Sequence, residues 1–163
     1  MDTVVKVGIA DMNIVTAPNT IRTTGLGSCV GVIVYDSSQP LAGLAHIMLP
    51  DSSIAKNSQS INKSKFADTA IIELKSRIIH AGGNPLKLKA KIAGGAEMFS
   101  FSAVNEVMRI GPRNVEAVKS ALQNENIQLV AEDTGGNSGR TIEFNPETLI
   151  LQVRTVNKGI IEL

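Results

Sequence analysis

Tryptophan is absent from this chain, tyrosine occurs once, and aromatic residues make up only 3% of it. Few rings are therefore present on which unpaired bases could stack. Neither sign of charge dominates, since 16 Lys and Arg against 15 Asp and Glu leave a formal net charge of +1. That balance gives no electrostatic footprint for nucleic acid or an anionic membrane, and neither is expected as a partner. No apolar run approaches the roughly 18 residues that would suggest a membrane span. Met1-Asp2-Thr3-Val4-Val5-Lys6 lacks the basic region and cleavage pattern of a secretory signal, so the expectation is a cytoplasmic protein. Cysteine occurs once and histidine twice, which excludes an internal disulfide and disfavours a thiolate zinc site. No metal or other cofactor is expected.

What is present describes one ordinary globular domain over residues 1–163, with 43% apolar and 19% charged residues. Neither internal repeats nor a low-complexity linker divide it. The runs Val4 to Ile9 and Met12 to Val15 read as strands. Cys29-Val30-Gly31-Val32-Ile33-Val34-Tyr35 is nearly all apolar, as in a strand buried on both faces. Asp36 to Pro40 is a turn by composition, and Leu41 to Leu49 is a second apolar run interrupted only by His46. Residues 50–64 are polar and read as a long exposed loop, a suitable element for recognising a protein substrate. From Lys65 the apolar period turns helical through Ala67, Ala70, Ile71, Leu74 and Ile78, and Gly82-Gly83 ends it. A strand over 86–93 follows, and Pro112 opens a second helix with Val115, Val118 and Leu122 on one stripe. Strands over 127–131, 141–144 and 149–156 complete an α+β fold in which helices cover a mainly antiparallel sheet.

The chemistry concentrates near Cys29, which follows Thr23-Thr24-Gly25-Leu26-Gly27-Ser28. The glycine spacing differs from a dinucleotide fingerprint and leads into a strand rather than a helix, so nucleotide binding is set aside. Most lone cysteines are inert core residues, and so are most histidines in apolar strands. Their relative placement argues otherwise. In a hairpin symmetric about Asp36–Gln39, Tyr35 lies opposite Pro40 and Cys29 directly opposite His46, close to hydrogen-bonding reach. A one-residue slip would place them on opposite faces. An imidazole beside a thiol can populate the thiolate, which attacks an amide or ester carbonyl. Backbone N–H groups of the glycine-rich entry, at Gly27 and Ser28, are candidates to stabilise the oxyanion. His80, near a helix end, is the weaker candidate base. Glu132, Asp133 and Asp51 have no partnering His or Cys at ligand spacing and read as turn or strand-end residues. Gly135 to Arg140 reads as a hairpin turn rather than an anion nest.

The run Thr23 to Val30, followed by Ala45-His46-Ile47-Met48-Leu49-Pro50, resembles the CheD family of chemoreceptor glutamine deamidases. The resemblance continues through Lys65–Ala70, Lys91–Phe99, Ile110–Val115 and Ala131–Asn137, in family order over almost the whole chain. It implies a three-layer α/β sandwich and a cysteine hydrolase that converts receptor glutamine side chains to glutamate with release of ammonia. The implied triad is Cys29, His46 and Thr23, although Thr24 places a second hydroxyl beside the expected one. Chemoreceptor cytoplasmic domains are the implied substrate, and a CheC-type phosphatase the implied regulatory partner. A mainly non-catalytic protein that stimulates that phosphatase is the alternative. A redox-responsive thiol is disfavoured because no second cysteine could resolve it.

Overall fold

The computed structural model describes residues 3–54, 61–98 and 109–163. The middle of the expected 50–64 loop and Phe99 of the family-like run lie outside those residues. Ten strands are described: β1 Val4–Val7, β2 Met12–Thr16, β3 Thr20–Leu26, β4 Val30–Asp36, β5 Leu41–Ile47, β6 Leu88–Gly94, β7 Gln128–Thr134, β8 Arg140–Asn145, β9 Ile150–Thr155 and β10 Gly159–Glu162. Two α-helices accompany them, α1 Ala67–His80 and α2 Ile110–Asn124.

The α+β class is as expected, but the strands divide between two sheets. One has the order β1-β3-β8-β9-β10 and the other β2-β5-β4-β6-β7. Within the ladders only β1–β3 and β6–β7 run parallel. Two hydrophobic clusters define the three layers. Val30, Val32 and Val34 of β4 face α1 and α2, whereas Ile33 and Tyr35 face Ile21, Ile142, Phe144 and Val153 of the other sheet. This explains why β4 and β5 are buried along their whole length and why their sequences show no polar alternation. Ala67, Ala70, Ile71, Leu74 and Ile78 bury one stripe of α1, each large aliphatic side chain contributing about 1.5–3 kcal/mol.

Two features depart from the sequence reading in ways that shape the site. The first is β3, whose polar, glycine-containing sequence carries no strand signal of its own. It is a strand because β1 and β8 flank it, pairing Thr23 with Val7 and with Ile142. Between Thr23↔Ile142 and Leu26↔Arg140 it carries one more residue than its partner, a bulge in which Gly25 adopts φ +73°. The bulge lets both Thr23 and Leu26 point inward while Thr24 stays exposed.

The second is the hairpin register. Tyr35 pairs with Ala42 and Gly31 with His46, so Cys29 is not directly opposite His46 as the symmetric turn predicts. The connection is wider because the buried Asp36 carboxylate organises it. That carboxylate accepts from the Ser38 N–H and hydroxyl, the Gln39 amide and the Asn84 N–H. Burial alone would raise the Asp36 pKa, but these donors outweigh it and bring it down to about 2. A shift of two residues preserves the face, so His46 still points toward the layer between the sheets.

Candidate active site

His46 lies near the end of β5, an interior strand paired with β2 on one side and β4 on the other. Its main chain is fixed further by His46 N–H to Asp11 O at 3.0 Å and Ala10 N–H to His46 O at 3.1 Å. The imidazole is fully buried between the sheets. Its Nδ1 lies 2.7 Å from the Thr23 hydroxyl, which in turn lies 2.8 Å from the Val7 carbonyl. The three groups form a relay from β1 through β3 to β5, crossing from one sheet to the other.

Counting protons settles which tautomer this relay selects. The Val7 carbonyl can only accept, so the single Thr23 hydroxyl proton goes to it. The hydroxyl oxygen must then accept from Nδ1–H. The neutral ring is left with its lone pair on Nε2, which is buried and has no hydrogen-bond partner among the described residues. A buried orphan of this kind costs about 1–3 kcal/mol, and such groups call for a functional account. Burial lowers the His46 pKa to about 4, so the ring is neutral at physiological pH. Nε2 therefore carries an available lone pair.

Cys29 is held differently. It lies just before β4, half-buried against the inter-sheet cluster that His46 also faces. The Gly95 N–H donates to Cys29 O at 2.9 Å, and the Ala96 N–H to Gly27 O at 2.8 Å. Gly94 adopts φ +113°, and a Cβ there would run into the Cys29 carbonyl, so the close approach requires glycine. Burial pushes the Cys29 thiol pKa up, an effect partly offset by its own backbone N–H. With the thiol raised and the imidazole lowered, the resting pair is neutral.

The Gly27 N–H donates to Gly25 O at 3.1 Å within the bulge. The Ser28 and Cys29 N–H groups donate to no backbone carbonyl among the described residues. His80 is the exposed last residue of α1 and stands apart from this cluster. Glu132 is paired with Lys119 at 2.9 Å, and Asp133 with the buried Arg140 at 3.3 Å. Arg140 also donates to Gly94 O, as does the Gly135 N–H, while the Glu97 N–H donates to Gly136 O. The Gly135–Arg140 loop thus braces the turn that carries the Cys29 loop, a role its composition does not show.

Asn114, in the second turn of α2, also escapes a reading by residue type. It is fully buried, and its amide donates to Ser28 O at 2.9 Å and Met48 O at 2.8 Å. It ties the residue before Cys29 to the end of the His46 strand.

The family model described as CheD chemotactic sensory transduction matches residues 48–155. A relative from Halalkalibacterium halodurans, named chemoreceptor glutamine deamidase CheD, is 58% identical over 98% of this chain and 98% of its own. The chain belongs to the CheD family. The Bacillus subtilis protein of the same name is 53% identical over 96% of this chain and 93% of its own. A Geobacillus kaustophilus relative, named as a probable member, is 58% identical over 98% and 96%. No helix among the described residues is long and apolar enough to cross a membrane.

Proposed function

We propose that this CheD protein is a chemoreceptor glutamine deamidase, in which Cys29 is the nucleophile, His46 the general base and acid, and Thr23 the residue that orients the imidazole. The observation that carries this reading is the relay Val7–Thr23–His46, which presents an unpartnered Nε2 in a neutral ring. A domain that only bound other proteins would gain nothing from a buried orphan base. The names of its relatives supply the substrate class.

The Cys29 thiol proton passes to His46 Nε2 as the sulfur attacks the glutamine side-chain carbonyl carbon, because neither group is charged at rest. The new S–C bond pushes the carbonyl electrons onto oxygen. Collapse of that oxyanion breaks the C–N bond, and His46 returns the proton to nitrogen, releasing ammonia. Water, deprotonated by His46, then cleaves the thioester to leave glutamate and the thiol. Thr23 does not touch the reacting atoms. It stabilises the imidazolium by accepting from Nδ1–H, a weaker partner than a carboxylate.

The test is mass spectrometry of receptor cytoplasmic domains incubated with the wild-type protein and with Cys29→Ala. Conversion of glutamine to glutamate by the first and not the second is the expected result, and equal conversion by both would reject Cys29. A CheC-type phosphatase is the second partner in this reading, laying a helix over the Cys29 opening that a receptor helix also needs. Saturating phosphatase should then slow alkylation of Cys29, and an unchanged rate would place the two partners on separate surfaces.

A further inference from the structure

The buried Asn114 amide poses a question that packing alone does not answer. Both of its N–H groups are spent on main-chain carbonyls, and its Oδ1 is buried with no partner. Among the described residues only two buried side-chain polar atoms lack a partner, His46 Nε2 and this oxygen. An apolar residue would avoid the orphan oxygen, so what singles out an asparagine is its pair of donors.

The Ser28–Cys29 peptide is trans, the one cis bond among the described residues being Ala17–Pro18. In a trans peptide the carbonyl and the following N–H point in opposite directions. Asn114, on α2, holds the Ser28 carbonyl toward its own amide. The Cys29 N–H must then point away from Asn114. That N–H has no backbone acceptor among the described residues and lies beside its own sulfur.

We infer that Asn114 is a positioning residue that locks the Ser28–Cys29 peptide so that the Cys29 N–H serves as an oxyanion donor. This inference rests on the deamidase reading and adds to it a residue that never meets the substrate. The oxyanion forms when sulfur adds to the amide carbon, and the donor must already face it, since turning a peptide at that moment would cost the gain. By gripping Met48 O as well, Asn114 keeps the peptide in register with the His46 strand.

Two reactions of Cys29 separate this role from plain structural support. Deamidation passes through an oxyanion, whereas alkylation by iodoacetamide displaces iodide at a saturated carbon and forms none. Asn114→Leu and Asn114→Asp should lower kcat for receptor deamidation by about 100- to 1,000-fold, as loss of one oxyanion donor does. KM and the rate and pH profile of Cys29 alkylation should stay within a few-fold of wild type. Folded variants with near-normal kcat, or variants in which alkylation falls in step with deamidation, would overturn the inference.

If both variants fail to fold, the wild-type protein decides. A glutamine-like peptide aldehyde adds to Cys29, forming an S–C bond while the thiol proton ends on the former carbonyl oxygen. That oxygen should move the Cys29 amide proton downfield more than any other amide of the loop in a nitrogen–proton correlation spectrum. An unmoved Cys29 amide would overturn the inference. Wild-type protein that leaves receptor glutamine unchanged would overturn the deamidase reading and this inference with it. The other outcomes bear on Asn114 alone.

Discussion

His46 and Cys29 are placed by different physical means. The histidine sits in an interior strand, held by ladders on both sides and by a hydroxyl from the opposite sheet. The cysteine sits on a loop whose shape depends on the Gly94–Ala96 turn, on Asn114, and at one remove on Arg140 and the Gly135–Gly136 segment. The proposed base must keep one tautomer, which a buried interior strand provides. A nucleophile must meet a protein substrate, so it belongs at the end of a strand where the chain opens. Distant changes should therefore reach the chemistry mostly through the cysteine side.

The most severe way to break this pairing is to remove either member. Cys29→Ala and His46→Ala should each abolish ammonia release from receptor domains while leaving the circular dichroism spectrum native. The double variant should be hardly worse than either single one, because nucleophile and base act as a unit.

Removing the support on each side should sharpen the contrast. Thr23→Ala should reduce turnover by about 10- to 100-fold, as loss of a residue that orients a histidine does. Thr24→Ala should have little effect, since that side chain is exposed on the bulge. Turnover assays in which Thr24→Ala is the worse variant would assign the wrong hydroxyl. On the cysteine side, Gly94→Ala forces a Cβ onto the Cys29 carbonyl at φ +113°. It should cost about 1–3 kcal/mol of stability in a denaturant titration and lower the Cys29 alkylation rate as well.

The smallest effect is in the pH profile. Because burial brings His46 to about 4 and raises the thiol, kcat/KM should stay flat from roughly pH 5.5 to 8. An acid limb near pH 6.5 would mean a solvated imidazole. Stability follows from the same shift. The unfolded chain takes up the His46 proton near its ordinary pKa of about 6.5, before the folded chain does. His46 therefore destabilises the fold as pH falls from about 6.5 toward 4, and contributes no further change below that. Thermal melts of wild type and His46→Ala across this window would show it, with the slope between about pH 6.5 and 4 lost in the variant.

Much of this arrangement was legible in the residues. The unbroken apolar runs of β4 and β5 announced strands buried on both faces, and the helical stripes of α1 and α2 were plain from their spacing. Other parts were not. The register slipped by two because Asp36 binds Asn84, a residue 48 positions away, and no local turn rule sees that bond. β3 was hidden because its strand character comes from β1 and β8 rather than from its own polar, glycine-bearing sequence. Asn114 had no reading beyond its place in a family-like run, because its two acceptors are main-chain carbonyls on distant segments.

The sequence by itself determined the α+β class, the helical and buried-strand segments, and the candidates Cys29, His46 and Thr23. Local periodicity and residue chemistry carry the segments and the Cys29 and His46 candidates, and the family resemblance carries Thr23. Tertiary structure decided which threonine meets the imidazole and which ring nitrogen has no partner among the described residues. It also decided which side chains brace the cysteine loop. Each of these depends on segments from different layers meeting in a buried interior. There, one hydrogen bond outweighs the preferences written along the chain.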